Sequence, residues 1–129
     1  MPQPQYHYIN PVVLFEAVGA DLASFFELSK IFLKIGPPML DLLKKAILAD
    51  DFKEILYESH SLKGTTALIG ATQLTLILQE IENLSRNGDT DIIVPYIPEL
   101  TRLFAAVMQE VQASIEHFQG SAGYNQKST

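Results

Sequence analysis

The chain has 129 residues and a formal net charge of −6, which fits one domain and argues against a nucleic-acid partner, because phosphate binding needs clustered basic residues. It contains no cysteine, which excludes disulfides, thiolate nucleophiles and sulfur-ligated metals. Hydrophobic residues make up 47% of the chain, too many for a disordered protein. No apolar run approaches the roughly 20 residues that cross a bilayer, and no secretion signal is recognisable. We therefore expect a cytoplasmic globular protein without a membrane partner.

The two ends of the chain differ in composition from its middle. We predict a flexible leader over residues 1–10, one domain over residues 11–118 and a disordered polar tail over residues 119–129. Asn10, followed directly by proline, predicts the N-cap of a short helix over residues 11–18, because proline is favoured at the first helical position.

Longer helices follow in chain order. Asp21 predicts the start of a helix that Gly36-Pro37-Pro38 is expected to break or kink, because proline removes a backbone donor and clashes with the preceding turn. Asp50-Asp51 predicts a turn and the start of the next helix. A further helix ends at Asn87-Gly88, and the last long helix follows the proline-containing stretch 94–98.

The apolar residues of these segments recur at i, i+3, i+4 and i+7, which is typical of amphipathic helices. No segment alternates with period two over enough residues to predict a sheet. Four long amphipathic helices with short connections indicate an all-α protein, an antiparallel up-and-down four-helix bundle with a short extra N-terminal helix.

The most unusual stretch surrounds His60, which lies well away from the centre of the apolar stripe on its helix. Gly64, one turn later, costs roughly 1 kcal/mol relative to alanine in a helix interior, and its missing side chain leaves one edge of the imidazole open. Lys63 can hold a positive charge near the ring. A protruding neutral imidazole is a good nucleophile, and a nearby ammonium stabilises an incoming anion. These three residues therefore suit a phosphoryl acceptor.

The next helix adds a polar face whose members are Thr75, Gln79, Glu82 and Arg86. If the two helices are antiparallel neighbours, Glu82 or Gln79 could orient the ring of His60, and Arg86 could reach the phosphate or the partner. The residues alone leave open a simpler interpretation, in which the histidine is an inert surface residue and the polar face is solvated.

The segment His60-Ser61-Leu62-Lys63-Gly64, followed by small residues, Gly70-Ala71 and Leu74, resembles the signature of histidine phosphotransfer (HPt) domains. That signature is His-x-Leu-Lys-Gly, then a stretch of small residues that ends in glycine, then an apolar position on the next helix. The resemblance covers roughly residues 11–118 and implies a four-helix bundle that carries a phosphoryl group.

The resemblance implies that His60 is the phosphorylated residue, with Lys63 as its charge partner and Gly64 as the position that keeps it accessible. In the family, polar residues near the histidine often contact the imidazole or its phosphate, and the resemblance implies the same role for polar residues near His60. Together with the polar face, these supporting positions are Thr65, Gln79, Glu82 and Arg86.

The partner implied by the resemblance is a response-regulator receiver domain, accompanied by a hybrid sensor kinase. The receiver supplies the aspartate, the Mg²⁺ and most of the catalysis, so the chain needs no cofactor of its own. The sequence contains no glycine-rich phosphate loop, which predicts a carrier without an ATP site or autokinase activity. No metal site is expected, because His7, His60 and His117 form no ligand pair at a suitable spacing.

Two alternatives stay open at this stage. The chain could be the phosphotransfer domain of a chemotaxis-type or hybrid sensor kinase, although the initial Met1 and the polar tail favour a stand-alone protein. It could also be an inert helical interaction module. We expect a monomer in either case. Uptake of acid-labile phosphate from a phosphorylated receiver separates the phosphotransfer interpretations from the inert one.

Overall fold

The computed structural model describes the backbone of residues 6–127 and the side chains of residues 6–120. Within this part of the chain the structure is entirely helical, which confirms the predicted all-α class. The elements are α1 (Pro11–Ala17), α2 (Leu22–Leu48), α3 (Phe52–Leu68), α4 (Thr72–Arg86), α5 (Thr90–Ile93), a 3-10 helix (Val94–Tyr96) and α6 (Ile97–Lys127).

The helix starts follow from short polar residues in the sequence. Asn10, Asp21 and Asp51 each accept a first-turn backbone N–H with a side-chain oxygen, at the starts of α1, α2 and α3. The turns after α3 and α4 contain Gly70 and Gly88 with positive φ angles of 75° and 73°. Glycine adopts this conformation without steric cost, so these positions end the helices and reverse the chain.

Four long helices form the bundle. α2 packs against α3 and α6, and α4 also packs against α3 and α6, so the four helices close a ring around one core. Short connections join α2 to α3 and α3 to α4. The largest fully buried side chains come from all of these helices and from α1 and α5: Leu14, Phe25, Phe32, Leu43, Ile47, Ile55, Leu62, Leu74, Leu78, Ile81, Ile93 and Leu100.

The prolines of α2 differ from expectation, because the helix runs without a break from Leu22 to Leu48 through Pro37 and Pro38. An interior proline costs about 3 kcal/mol or more, so tertiary contacts must offset it. Gly36 is buried against the Phe32 and Phe104 rings, and a Cβ on it would lie 2.9 Å from Cζ of Phe104. This close packing against α6 holds the helix together where the local sequence disfavours it.

The structure extends past both predicted boundaries of the domain, residues 11 and 118. In place of a flexible leader up to residue 10, Ile9 is buried and the Asn10 N–H donates to the carbonyl of Gly70. The backbone of α6 extends to Lys127, past residue 119, where the polar tail is predicted to begin. Residues 1–5 and 128–129 of the two predicted segments lie outside the described residues.

No helix within residues 6–127 is both long and apolar enough to cross a membrane. Among the residues that the structure describes, no group of three or more histidine, aspartate and glutamate side chains is placed to hold a metal ion.

Candidate functional site

His60 lies at the middle of α3, and its side chain is 70% exposed. Its position follows from the helical period, since the buried face of α3 is formed by Ile55, Ser59, Leu62 and Thr66. The predicted exposure of the imidazole is confirmed, and the ring is open to a second macromolecule.

A carboxylate on α4 connects the predicted residues. Glu82 is 2% exposed, and its Oε1 lies 3.0 Å from Nδ1 of His60 and 3.1 Å from Nζ of Lys63. Its Oε2 accepts a hydrogen bond from the Arg86 guanidinium at 3.0 Å, one turn further along α4. The buried Glu82 carboxylate therefore contacts His60 and both of the basic residues predicted from the sequence, Lys63 and Arg86.

The charge of this carboxylate decides the state of the ring. Burial raises the pKa of Glu82, but the hydrogen bonds and charges of Lys63 and His60 together outweigh it and hold the pKa below its ordinary value. An ionised carboxylate can only accept hydrogen bonds, so Nδ1 of His60 must carry the proton that lies between them. In the neutral ring the lone pair is then on Nε2, on the opposite side from Glu82.

Lys63 is less accessible than a free surface lysine, with its side chain 20% exposed. Besides its contact with Glu82, its ammonium donates to Oε1 of Gln79 at 2.7 Å. The Gln79 amide in turn donates to Asn83 at 2.9 Å. Asn83 was not selected from the sequence, although its position four residues after Gln79 places it on the same polar face. The network fixes the ammonium beside the carboxylate.

Two further predicted positions lie outside the Glu82 network. A Cβ built on Gly64 would meet no atom within 4 Å, so the helix surface one turn after His60 is open, as the sequence analysis expected. The Thr65 hydroxyl donates to the carbonyl of Ser61 at 3.2 Å, on the side of α3 that faces α2. Thr65 therefore contributes to a neighbouring groove instead of to the network that holds the imidazole.

An apolar groove of about 410 Å³ lies beside His60, between α1, α2 and α3. Its lining is almost free of charge and consists of Leu14, Leu28, Ile31, Phe32, Ile35, Ser61, Gly64, Thr65, Leu68 and Ile69. Ile31, Ile35 and Leu68 are each about two-fifths exposed, which is unusual for large aliphatic side chains at neighbouring positions.

A second hollow, of about 360 Å³, lies at the ring itself, between α3 and α4. It is lined by Lys53, Leu56, Tyr57, His60, Ser61 and Arg86. Two concave surfaces therefore adjoin the imidazole: an apolar groove and a hollow that carries two basic side chains.

Solved structures that share this fold include two histidine phosphotransfer proteins. Histidine-containing phosphotransfer protein B (HptB) from Pseudomonas aeruginosa is similar with a TM-score of 0.79 and 22% identity, covering 88% of this chain and 98% of that one. The HPT domain of a sensor hybrid histidine kinase from Shewanella is similar with a TM-score of 0.74 and 20% identity, covering 84% of this chain and 94% of that one. No curated protein matches the chain.

The fold is thus that of histidine phosphotransfer domains, and the match to the family agrees. The family model of the Hpt domain matches residues 27–124, which is more than half of the chain, so the protein belongs to the Hpt domain family. It is a histidine phosphotransfer protein of phosphorelay signalling. Members of this family carry phosphoryl groups and do not act as conventional enzymes, and their partners are receiver domains. The matched range begins within α2, so α1 precedes it.

Proposed function

We propose that His60 receives a phosphoryl group from an aspartyl phosphate on one receiver domain and passes it to the aspartate of another. The observation that carries the proposal is the hydrogen bond between Nδ1 of His60 and the buried, ionised Glu82. This bond fixes the tautomer and directs the lone pair of Nε2 outward from a ring that is 70% exposed.

The transfer step balances without a proton acceptor. The Nε2 lone pair attacks phosphorus, the new P–N bond forms, the P–O bond to the aspartyl group breaks, and the aspartate leaves as a carboxylate. The ring keeps its proton on Nδ1 and becomes positively charged. Glu82 stabilises that charge at 3.0 Å, and the second transfer reverses these steps on another aspartate.

The basic side chains have distinct roles in this proposal. Lys63 and Arg86 balance the charge of Glu82, which allows a carboxylate to stay ionised in a buried position. Arg86 is 57% exposed and lines the hollow beside the ring, so its guanidinium is also available to the oxygens of an incoming phosphoryl group.

The apolar groove is the proposed contact surface for the receiver domain. It is continuous with the phosphoacceptor, because Ser61 and Gly64 line the groove directly beside His60. A receiver that covers Ile31, Ile35 and Leu68 would bury exposed apolar surface while its aspartate reaches Nε2. The missing side chain at Gly64 removes an obstacle between the groove and the ring.

The remaining partners and cofactors follow from this scheme. Mg²⁺ would be held by the receiver and not by this chain, and a hybrid sensor kinase would supply the phosphate upstream. We propose that the protein lacks autokinase activity, since the sequence contains no glycine-rich phosphate loop. We also propose that the protein acts in the cytoplasm, and that it acts as a monomer because the exposed His60 of one chain can serve each transfer.

The decisive experiment is incubation with a phosphorylated receiver domain and Mg²⁺, using radiolabelled phosphate. We expect label that is lost in acid and stable in base, the behaviour of a phosphoramidate, and we expect His60→Gln to abolish it. His7→Gln is the matched control and should label like the wild type. Label that survives acid, or equal labelling of the His60→Gln variant, would overturn the assignment. Labelling from ATP alone would contradict the absence of autokinase activity.

A further inference from the structure

The segment before α1 is tied to α6 by one carboxylate. Glu110 lies on α6, and its Oε2 accepts the backbone N–H of His7 at 2.9 Å. Its Oε1 accepts the backbone N–H groups of Tyr8 at 2.8 Å and Ile9 at 3.1 Å. A single side chain therefore satisfies three consecutive backbone donors of an otherwise irregular segment.

The same segment is fixed at its other end by the turn between α3 and α4. The Asn10 N–H donates to the Gly70 carbonyl at 3.0 Å. Gly70 has a positive φ angle, and a Cβ on it would lie 2.5 Å from the Asn10 carbonyl oxygen, so this approach requires glycine. Between the two attachments the Ile9 side chain is only 7% exposed. Residues 7–10 thus form a strap that joins α6 to the end of α3.

The strap ends where α1 begins, and α1 contributes its buried Leu14 to the lining of the apolar groove. α1 has 7 residues, far fewer than an isolated helix needs to be stable, so its position depends on what holds it. Its Leu14 is 2% exposed and lines the groove together with Ile31, Ile35 and Gly64. α1 makes contacts with α2 and α3, the two helices that form the rest of the groove.

We propose that Glu110 is a positioning residue for receiver docking, which acts by holding the strap and thereby α1, whose Leu14 lines the groove beside His60. The inference rests on the proposed function, because it takes the receiver as the occupant of the groove. Glu110 itself does not contact His60 or the Glu82 network. Its effect is therefore on the recognition of the partner and not on the reactivity of the imidazole.

The test compares two phosphodonors on Glu110→Ala. Transfer from a phosphorylated receiver requires docking, and its KM should rise about tenfold with kcat nearly unchanged, equivalent to roughly 1.4 kcal/mol of lost binding. Labelling of His60 by phosphoramidate, a small donor that needs no docking surface, should proceed at the wild-type rate. Glu116→Ala is the matched control, since Glu116 is an exposed α6 residue that accepts a hydrogen bond from its helix neighbour Gln112.

A conservative variant keeps the test informative if Glu110→Ala unfolds. Glu110→Gln retains one carbonyl oxygen that can accept the Tyr8 and Ile9 N–H groups, so its KM should lie between those of the wild type and the alanine variant. Hydrogen exchange of the amides of residues 7–14 should accelerate in the same order.

The outcomes separate the inference from the proposed function. A wild-type protein that labels from neither donor would refute the proposed function itself. A Glu110→Ala protein with faster exchange over residues 7–14 but an unchanged KM would refute the positioning role alone. A slower reaction with phosphoramidate would also refute it, because the effect would then lie in the reactivity of His60.

Discussion

Replacing Glu82 by glutamine tests the centre of the site, because the change keeps the size of the side chain and removes its charge. In the wild type the carboxylate binds Lys63, whose side chain is 20% exposed, and the more exposed Arg86 and His60. A hydrogen bond to a charged group that is largely buried contributes about 1.5–3 kcal/mol, whereas exposed ion pairs contribute about 0–1 kcal/mol. Most of the stabilisation should therefore come from Lys63.

Part of this stabilisation is offset by the cost of burying an ionised carboxylate, which Glu82→Gln no longer has. We expect a net loss of about 1–2 kcal/mol, which for a chain of this size lowers Tm by roughly 4–8 °C. Loss of the charge beside the phosphorylated ring should slow transfer about tenfold, equivalent to about 1.4 kcal/mol of barrier height. Thermal unfolding and single-turnover transfer from a phosphorylated receiver measure the two effects.

The stabilisation of the fold by Glu82 should depend on pH, in the direction that its lowered pKa dictates. The folded-state pKa of Glu82 is lowered from its ordinary value of 4.5, so its contribution to stability is present above that value. The contribution disappears as the pH falls through the folded-state pKa, and the Tm difference between wild type and Glu82→Gln should shrink in parallel. Glu99→Gln, which breaks an exposed pair with Arg102, is the control and should change Tm little at any pH. A variant with wild-type transfer rates would refute the electrostatic role of Glu82.

Two other predictions concern α3. Gly64→Gln should keep or raise Tm, since an interior glycine costs about 1 kcal/mol relative to alanine. The added side chain should slow phosphotransfer from a receiver, because it occupies the open surface beside His60. Equal transfer rates in Gly64→Gln and Gly64→Ala would contradict a role of this position in access to His60. The pKa of Glu58 is raised above 4.5 by burial, by a hydrogen bond with Glu54 and by the negative charge of Glu54. Ionisation of this buried carboxyl group therefore opposes folding as the pH rises through its folded-state pKa. Glu58→Gln should therefore raise Tm at about pH 7 and lose this advantage below about pH 4.5; an unchanged Tm at neutral pH would show that the carboxyl is not destabilising.

The helical period of the sequence was enough to predict the bundle and the exposure of His60. Both depend on the local repetition of apolar residues. His60 lies off the apolar stripe of α3, so its imidazole is exposed regardless of how the other helices pack. The identity of Glu82 as a partner of His60 was also predicted, together with Gln79 as an alternative. That one oxygen binds both the ring and Lys63 depends on how α3 and α4 are rotated against each other, and no pattern within one helix contains this information.

Features that depend on distant residues were not predicted. Glu110 is 103 positions from His7, and a lone glutamate in a helix gives no sign that it will bind a strap. The continuity of α2 through Pro37 and Pro38 depends on the packing of Gly36 against Phe104, a contact between helices that are far apart in the sequence. The groove likewise exists because three helices meet, which no pattern within a single helix indicates.

The hydrogen bond from His60 to Glu82 also bears on the direction of signalling. In the proposed cycle the imidazole keeps the same proton on the same nitrogen before and after each transfer, so no solvent proton has to arrive or depart. Loading and unloading of the carrier are then mirror images, and neither is favoured by a gate within this chain. The net flow of phosphate would be set by the relative abundance and phosphorylation state of the receivers at the two ends of the relay.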